Sequence, residues 1–198
     1  GEEAYTEKPG DINDLSLHAG QRELARAMYA TGRPVALVLV QGRPRTLHGI
    51  ADGAAAVLAA MVPGPHGGTA IAEVLLGLVN PSGRLPLSYP RVEGSFAPNW
   101  HPVTMRCATQ QQSFLSATTA ECPIEWPFGR GLSYTSFTYS LASSSHSMVD
   151  HPASFEILVS VTNTGARRGS HSALLFLTRQ YQHLVVPDAQ TLLDFHKL

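Results

Sequence analysis

Apolar residues in the first third of the chain fall on two different periods. Leu17, Leu24, Ala27 and Met28 recur on helical spacing, which predicts a helix over 17–30. Gly32 stands where a glycine ends a helix, and Pro34 prevents continuation. Val35 to Val40 is then apolar at every position and short, the pattern of a central parallel strand covered on both faces. Gly42-Arg43-Pro44 ends it in a turn. A second apolar run, 54–61, fits a strand or a helix equally well by pattern. Pro63 to Gly68 predicts a loop, and Ile71, Val74, Leu75 and Leu78 mark a helix from about Thr69 to Leu76.

This alternation predicts an α/β domain with an open, mostly parallel sheet flanked by helices. Beyond Asn80-Pro81-Ser82-Gly83 the periodicity dissolves, and 90–125 is expected to be a long surface excursion. Trp126 to Tyr134 places aromatics among glycines, as in a tight buried turn. Near residue 140 the regime changes. Phe155, Ile157, Val159 and Val161 alternate with their neighbours as a strand, Asn163-Thr164-Gly165 makes a turn, and 173–177 is a second strand. An immunoglobulin-like sandwich needs about seven strands, so 141–198 is expected to be a truncated all-β module. The domains are expected at 1–140 and 141–198.

Composition narrows the function classes. Charged residues are only 15% and the net charge is −1, which favours neither nucleic acid nor an anionic membrane as partner. The longest apolar run is far shorter than the roughly 20 residues that span a bilayer. No initiator Met or signal-like segment opens the chain, and Gly1 is read as a cut end. Cys107 and Cys122 leave two readings open, a disulfide suited to an oxidising compartment or two thiols. The nine histidines show no metal-ligand spacing with Cys or carboxylate support, so neither a metal nor a cofactor is expected.

Several motifs have a plain structural reading. Gly64 to Gly68 precedes a helix but matches neither phosphate-binding glycine motif, so Gly67 and Gly68 are expected to serve close packing. Ser82 lacks the strand–elbow–helix setting of a nucleophile, and Gly83 is expected to allow a reversed turn there. Trp126, Phe128 and Tyr134 are expected to pack in the core in preference to stacking on a ligand.

Five stretches, in order, resemble glycoside hydrolase family 3 of the β-glucosidase type. They are GEEAYTEKPGD (1–11), TGRPVALVLVQGRPR (31–45), VPGPHGGTAIAEVLLGLVNPSGRLPLSYP (62–90), EWPFGRGLSYTSFTY (125–139) and VSVTNTGARRGS (159–170). Met61 stands where the family usually has Trp. The resemblance implies the family's C-terminal α/β domain followed by the start of a fibronectin type III-like domain. It also implies a retaining hydrolase whose nucleophilic Asp lies on a preceding barrel, to which nothing here corresponds. It makes Glu2 the general acid/base, with Glu7 as the fallback. Glu3 and Asp11 complete an acidic cluster able to raise one carboxyl pKa, which Lys8 would oppose. The expected partners are the barrel and, through the whole enzyme, β-glucosides or cello-oligosaccharides; the expected location is secreted. Two other classes remain as alternatives: a non-catalytic remnant, since one carboxylate cannot perform a double displacement, and a nucleotide-binding α/β domain.

Overall fold

The computed structural model describes residues 14–93, 124–146, 155–178 and 190–198. Helix α1 spans Ala19–Ala30. Its end is closed by Thr31, whose amide and hydroxyl both donate to the Met28 carbonyl, and by Gly32, whose amide donates to Tyr29. Gly32 adopts φ +71°, the left-handed conformation expected of that glycine. Strand β1 (Ala36–Val40) follows, then a short 3-10 helix (Ile50–Gly53) and strand β2 (Ala56–Met61).

The run at 54–61 is therefore a strand. It pairs in parallel with β1, from Ala36 opposite Ala56 to Val40 opposite Met61, with an irregularity after Leu39. Helix α2 spans Gly67–Leu75, starting two residues before the expected Thr69. Gly67 is required there: a Cβ on it would lie 2.4 Å from the Pro63 ring. Gly68 has open space around it and makes no such close approach.

Strands β3 (Tyr89–Pro90) and β4 (Ile124–Trp126) pair antiparallel; residues 94–123 between them, most of the stretch expected to be a surface excursion, lie outside the described set. Strands β5 (Phe137–His146) and β6 (Phe155–Asn163) pair antiparallel, as do β7 (Ser172–Thr178) and β8 (Gln190–Lys197). The described strands thus form four two-stranded sheets, of which β1–β2 is parallel. Asn163 builds the expected turn, its Oδ1 accepting the Gly165 amide two residues on.

The core gathers Ala25, Leu39, Leu47, Ile50 and Tyr89, with Tyr29, Leu37, Val57 and Trp126 packed around them. The face of α1 that meets it is Ala25 and Tyr29, one turn apart. The sequence pattern pointed instead to Leu24 and Met28. These are 64% and 47% exposed and border an open groove of about 800 Å³ along β1, because no described element covers that side. Trp126 packs edge-on against Tyr89 at 5.0 Å, and Phe128 against Phe176 at 6.4 Å. Tyr134 departs from the core expectation. It is exposed, its hydroxyl donates to the Val74 carbonyl, and the Arg167 guanidinium lies over its ring.

A dense seam joins the end of α2 to the β6–β7 loop. Asn80 Oδ1 accepts from Ser133 Oγ (3.1 Å) and the Tyr134 amide (2.7 Å), while its Nδ2 donates to the Arg168 carbonyl (3.3 Å). Arg167 Nη1 donates to the Gly77 carbonyl at 3.0 Å, where helix carbonyls carry partial negative charge. Arg84 Nη2 reaches His171 Nδ1 at 3.0 Å, and the other face of that network is the Tyr139 hydroxyl on His171 Nε2. Gly83 is not in a left-handed conformation, and the chain makes no turn at 81–85, so the reversed turn expected there is not made. The close approach is made by Gly131, whose added Cβ would stand 2.4 Å from the Gly83 carbonyl oxygen.

Candidate functional site

Parallel sheets present ligand-contacting groups beyond the carboxyl ends of their strands. Just past the end of β1, Gln41 is buried, and its Nε2 donates at 2.6 Å to the hydroxyl of the fully buried Tyr89. That hydroxyl donates in turn to the Arg45 carbonyl at 2.8 Å. The loop 41–46 is thereby fixed to β3, and Thr46 at its end is wholly buried.

Thr46 joins the segment that runs back toward the N-terminus. Ser16 and Thr46 form a parallel bridge, with the Leu17 amide donating to Thr46 (3.2 Å) and the Thr46 amide to Leu15 (2.9 Å). Arg45 Nη1 donates to the Asp14 carbonyl at 3.1 Å. Side chains complete the junction. His48 Nε2 lies 2.8 Å from Ser16 Oγ and 3.2 Å from Thr46 Oγ1. Glu93 Oε1 accepts from Ser16 Oγ and, at 3.3 Å, from Thr46 Oγ1. With the ring proton on Nε2 the hydrogen bonds run from His48 to Ser16 to Glu93. Asp14 Oδ1 accepts the Ser16 amide at 2.7 Å, and that bond is the main cause holding its carboxyl below the usual range.

The Ser16–His48–Glu93 grouping has the residue types of a nucleophilic triad but not its geometry. A relay requires the serine on one ring nitrogen and the carboxylate on the other. Here both stand on the Nε2 side, with Glu93 3.9 Å from that atom. The arrangement can tie chain segments together; it does not activate Ser16. A second polar group flanks it: Arg91 Nε donates to Glu125 Oε2 at 2.9 Å, and that carboxylate is only 5% exposed. Asp52 lies 3.8 Å from the same guanidinium.

Glu2 and Glu7, the sequence candidates for the acid/base, lie outside the described residues, as do Glu3, Lys8, Asp11, Cys107 and Cys122. Sequence reasoning missed Ser16, Thr46, His48 and Glu93, which carry no local motif. The one signal was His48 beside Gly49, a pair that turns out to be left-handed at both positions (φ 48° and 77°). Among the described residues no three His, Cys, Asp or Glu side chains converge on a metal site, and no helix is long and apolar enough to cross a membrane.

Residues 1–134 match the family model described as the Glycosyl hydrolase family 3 C-terminal domain. The chain belongs to glycoside hydrolase family 3. It is 38% identical to a lysosomal beta glucosidase of Dictyostelium discoideum over 210 aligned positions, which cover 100% of this chain and 24% of that protein. It is 38% identical to a periplasmic beta-glucosidase of Salmonella typhimurium, over 83% of this chain and 22% of the relative. A beta-xylosidase of Formosa agariphila is 34% identical over 87% of the chain and 23% of its own length. Among solved structures, a β-glucosidase from Erythrobacter marinus superposes with a TM-score of 0.80 at 34% identity, covering 96% of this chain and 24% of that one. The chain therefore spans about a quarter of the length of these family 3 relatives.

Proposed function

We propose that this chain is the C-terminal part of a retaining β-glucosidase that hydrolyses terminal β-D-glucosyl residues. Residues 1–140 form its α/β domain, an open and mostly parallel sheet flanked by helices. Residues 141–198 begin a fibronectin type III-like sandwich. The observation that carries this reading is a family 3 match along the whole chain to relatives about four times as long. A barrel elsewhere in the enzyme supplies the nucleophilic Asp and most sugar contacts, and the substrates are β-glucosides or cello-oligosaccharides. Periplasmic and lysosomal relatives support a secreted or otherwise non-cytosolic location.

In this reading the barrel Asp attacks the anomeric carbon while Glu2, or Glu7 in its place, protonates the departing glycosidic oxygen. The same group, now a carboxylate, takes a proton from the water that hydrolyses the glycosyl-enzyme. A carboxyl group that must hold its proton near neutrality needs burial or a neighbouring negative charge. The cluster of Glu2, Glu3, Glu7 and Asp11 supplies the second.

The test is Glu2→Gln and Glu7→Gln in the full-length enzyme, read as kcat/KM so that glycosylation is followed. Loss of a proton donor lowers turnover of a methoxyphenyl glucoside by about 100-fold or more, within the range for general acid catalysis. A dinitrophenyl glucoside, whose leaving group needs no proton, is affected far less. Equal loss on both substrates at both positions refutes the acid/base assignment. Clear β-glucosidase turnover by residues 1–198 alone refutes the division of carboxyl groups between two domains.

A further inference from the structure

The junction of Ser16, Thr46, His48 and Glu93 has a cost that its fold does not require. His48 sits at φ +48°, a conformation unfavourable for a side chain with a Cβ, in a loop whose next residue is already a glycine. The loop does not depend on that imidazole for its anchorage. Tyr89, Gln41 and the Ser16–Thr46 bridge hold the backbone on their own. What the imidazole adds is confined to the side chains. It braces the Ser16 and buried Thr46 hydroxyls, and those two hydroxyls converge on one carboxylate oxygen of Glu93.

Two members of that chain of bonds, Ser16 and Glu93, stand at the roots of segments. Ser16 lies just after residues 1–13, which carry Glu2 and Glu7, and Glu93 stands immediately before residues 94–123. Glu7 stands seven positions before Asp14 and Glu2 twelve positions before it. At full extension these spans reach at most about 25 Å and about 43 Å. Where the root is held therefore bounds where either carboxyl group can stand. Asp14 is fastened too, through its carbonyl to Arg45 and its carboxylate to the Ser16 amide.

We propose that Ser16, Thr46, His48 and Glu93 form a positioning clamp that locks the root of the acid/base-bearing segment to the β3 end at Glu93, and so sets where the proton donor stands. None of the four touches substrate; each acts through the segment it holds. The clamp rests on the acid/base reading given above, and it predicts which part of catalysis fails when it is opened. Misplacing a proton donor harms only substrates that need the proton.

The experiment uses the full-length enzyme with His48→Gly, Glu93→Ala and Glu93→Gln, beside Glu2→Gln and Glu7→Gln. His48→Gly removes the imidazole and also relieves the backbone, so the melting temperature is expected to hold or rise. At the same time kcat/KM for the methoxyphenyl glucoside falls about tenfold, short of the roughly hundredfold that a misplacement of about 1 Å can cost. The dinitrophenyl glucoside loses less than about threefold. Glu93→Ala behaves alike, while Glu93→Gln, which keeps an acceptor oxygen for Ser16, restores most of the activity on the poor substrate. A purely structural junction gives the opposite pattern: equal loss on both substrates, tracking a fall in melting temperature. That result, or no loss at all, overturns the clamp while the Glu→Gln variants still discriminate between substrates. If neither Glu→Gln variant discriminates, the acid/base reading itself has failed and the clamp falls with it.

Discussion

Asn80 and Gly169 meet so closely that their substitutions should not be additive. Asn80 makes three hydrogen bonds, to Ser133, Tyr134 and Arg168. At about 1 kcal/mol net for each, Asn80→Ala should cost about 2–3 kcal/mol. Gly169 lies under the same side chain. A Cβ built on it would stand 2.1 Å from Asn80 Nδ2 and 3.3 Å from Asn80 Cγ, with Thr135 Cγ2 next at 3.1 Å. Gly169→Ala alone must therefore push Asn80 aside and break its bond to Arg168, costing about 2–3 kcal/mol by overpacking and the lost bond together. In the Asn80→Ala background both Asn80 atoms are gone and only the Thr135 methyl remains near, a contact that a small shift relieves. The second substitution should then cost less than about 1 kcal/mol, leaving a coupling energy of about 1–2 kcal/mol. Urea denaturation of the four proteins, followed by circular dichroism, measures it. Additivity within about 0.5 kcal/mol would show that the two residues do not share the space assigned to them.

Burial first, and the Arg84 guanidinium second, hold the His171 imidazole below its ordinary value of 6.5. Its contribution to stability is present above that ordinary value and is lost as pH falls through the lowered one, so the urea midpoint should drop on acidification more steeply than in His171→Gln; parallel profiles would remove His171 from the seam's pH response. Arg91→Met strands the buried Glu125 carboxylate and should cost about 3 kcal/mol, with Glu125→Gln in the same protein recovering part of it, both read from denaturation midpoints.

The helical and parallel-strand portion was largely legible because its segments are long and their patterns distinct. Gly32 ended α1 as expected, and Val35 to Val40 contained β1. The run at 54–61 needed its partner: only the register against β1 separates strand from helix there. Strands β5 and β8 escaped notice for compositional reasons. The run Ser143-Ser144-Ser145 hides the alternation of Phe137, Tyr139 and Leu141, and Leu192, Leu193 and Phe195 are mixed with Asp194, His196 and Lys197. Strand β3 is two residues long and carries no pattern at all. The junction was hidden for a different reason. Positions 16, 46, 48 and 93 are joined by chain reversal, and the residue that unites them, Thr46, would be an ordinary loop threonine if its burial were not known.

The stretches that most strongly suggested family membership prove to be physically coupled, which explains why they occur together. Asn80 and Arg84 belong to the stretch 62–90, Ser133 and Tyr134 to 125–139, and Gly165, Arg167 and Arg168 to 159–170. All seven meet at one seam. Asn80 bonds residues of both other stretches, Arg167 reaches Gly77 and covers Tyr134, and a Cβ on Gly165 would strike Thr135 Oγ1 at 2.2 Å. Asn, Arg and Gly are chosen there for donor geometry, charge at a helix end and absence of a Cβ, and none of those roles passes to another residue type without loss. The sequence signature in this half of the chain therefore encodes how the end of α2, the 133–135 stretch and the β6–β7 loop are fastened, whereas the acid/base proposed at Glu2 or Glu7 belongs to the segment held at Ser16.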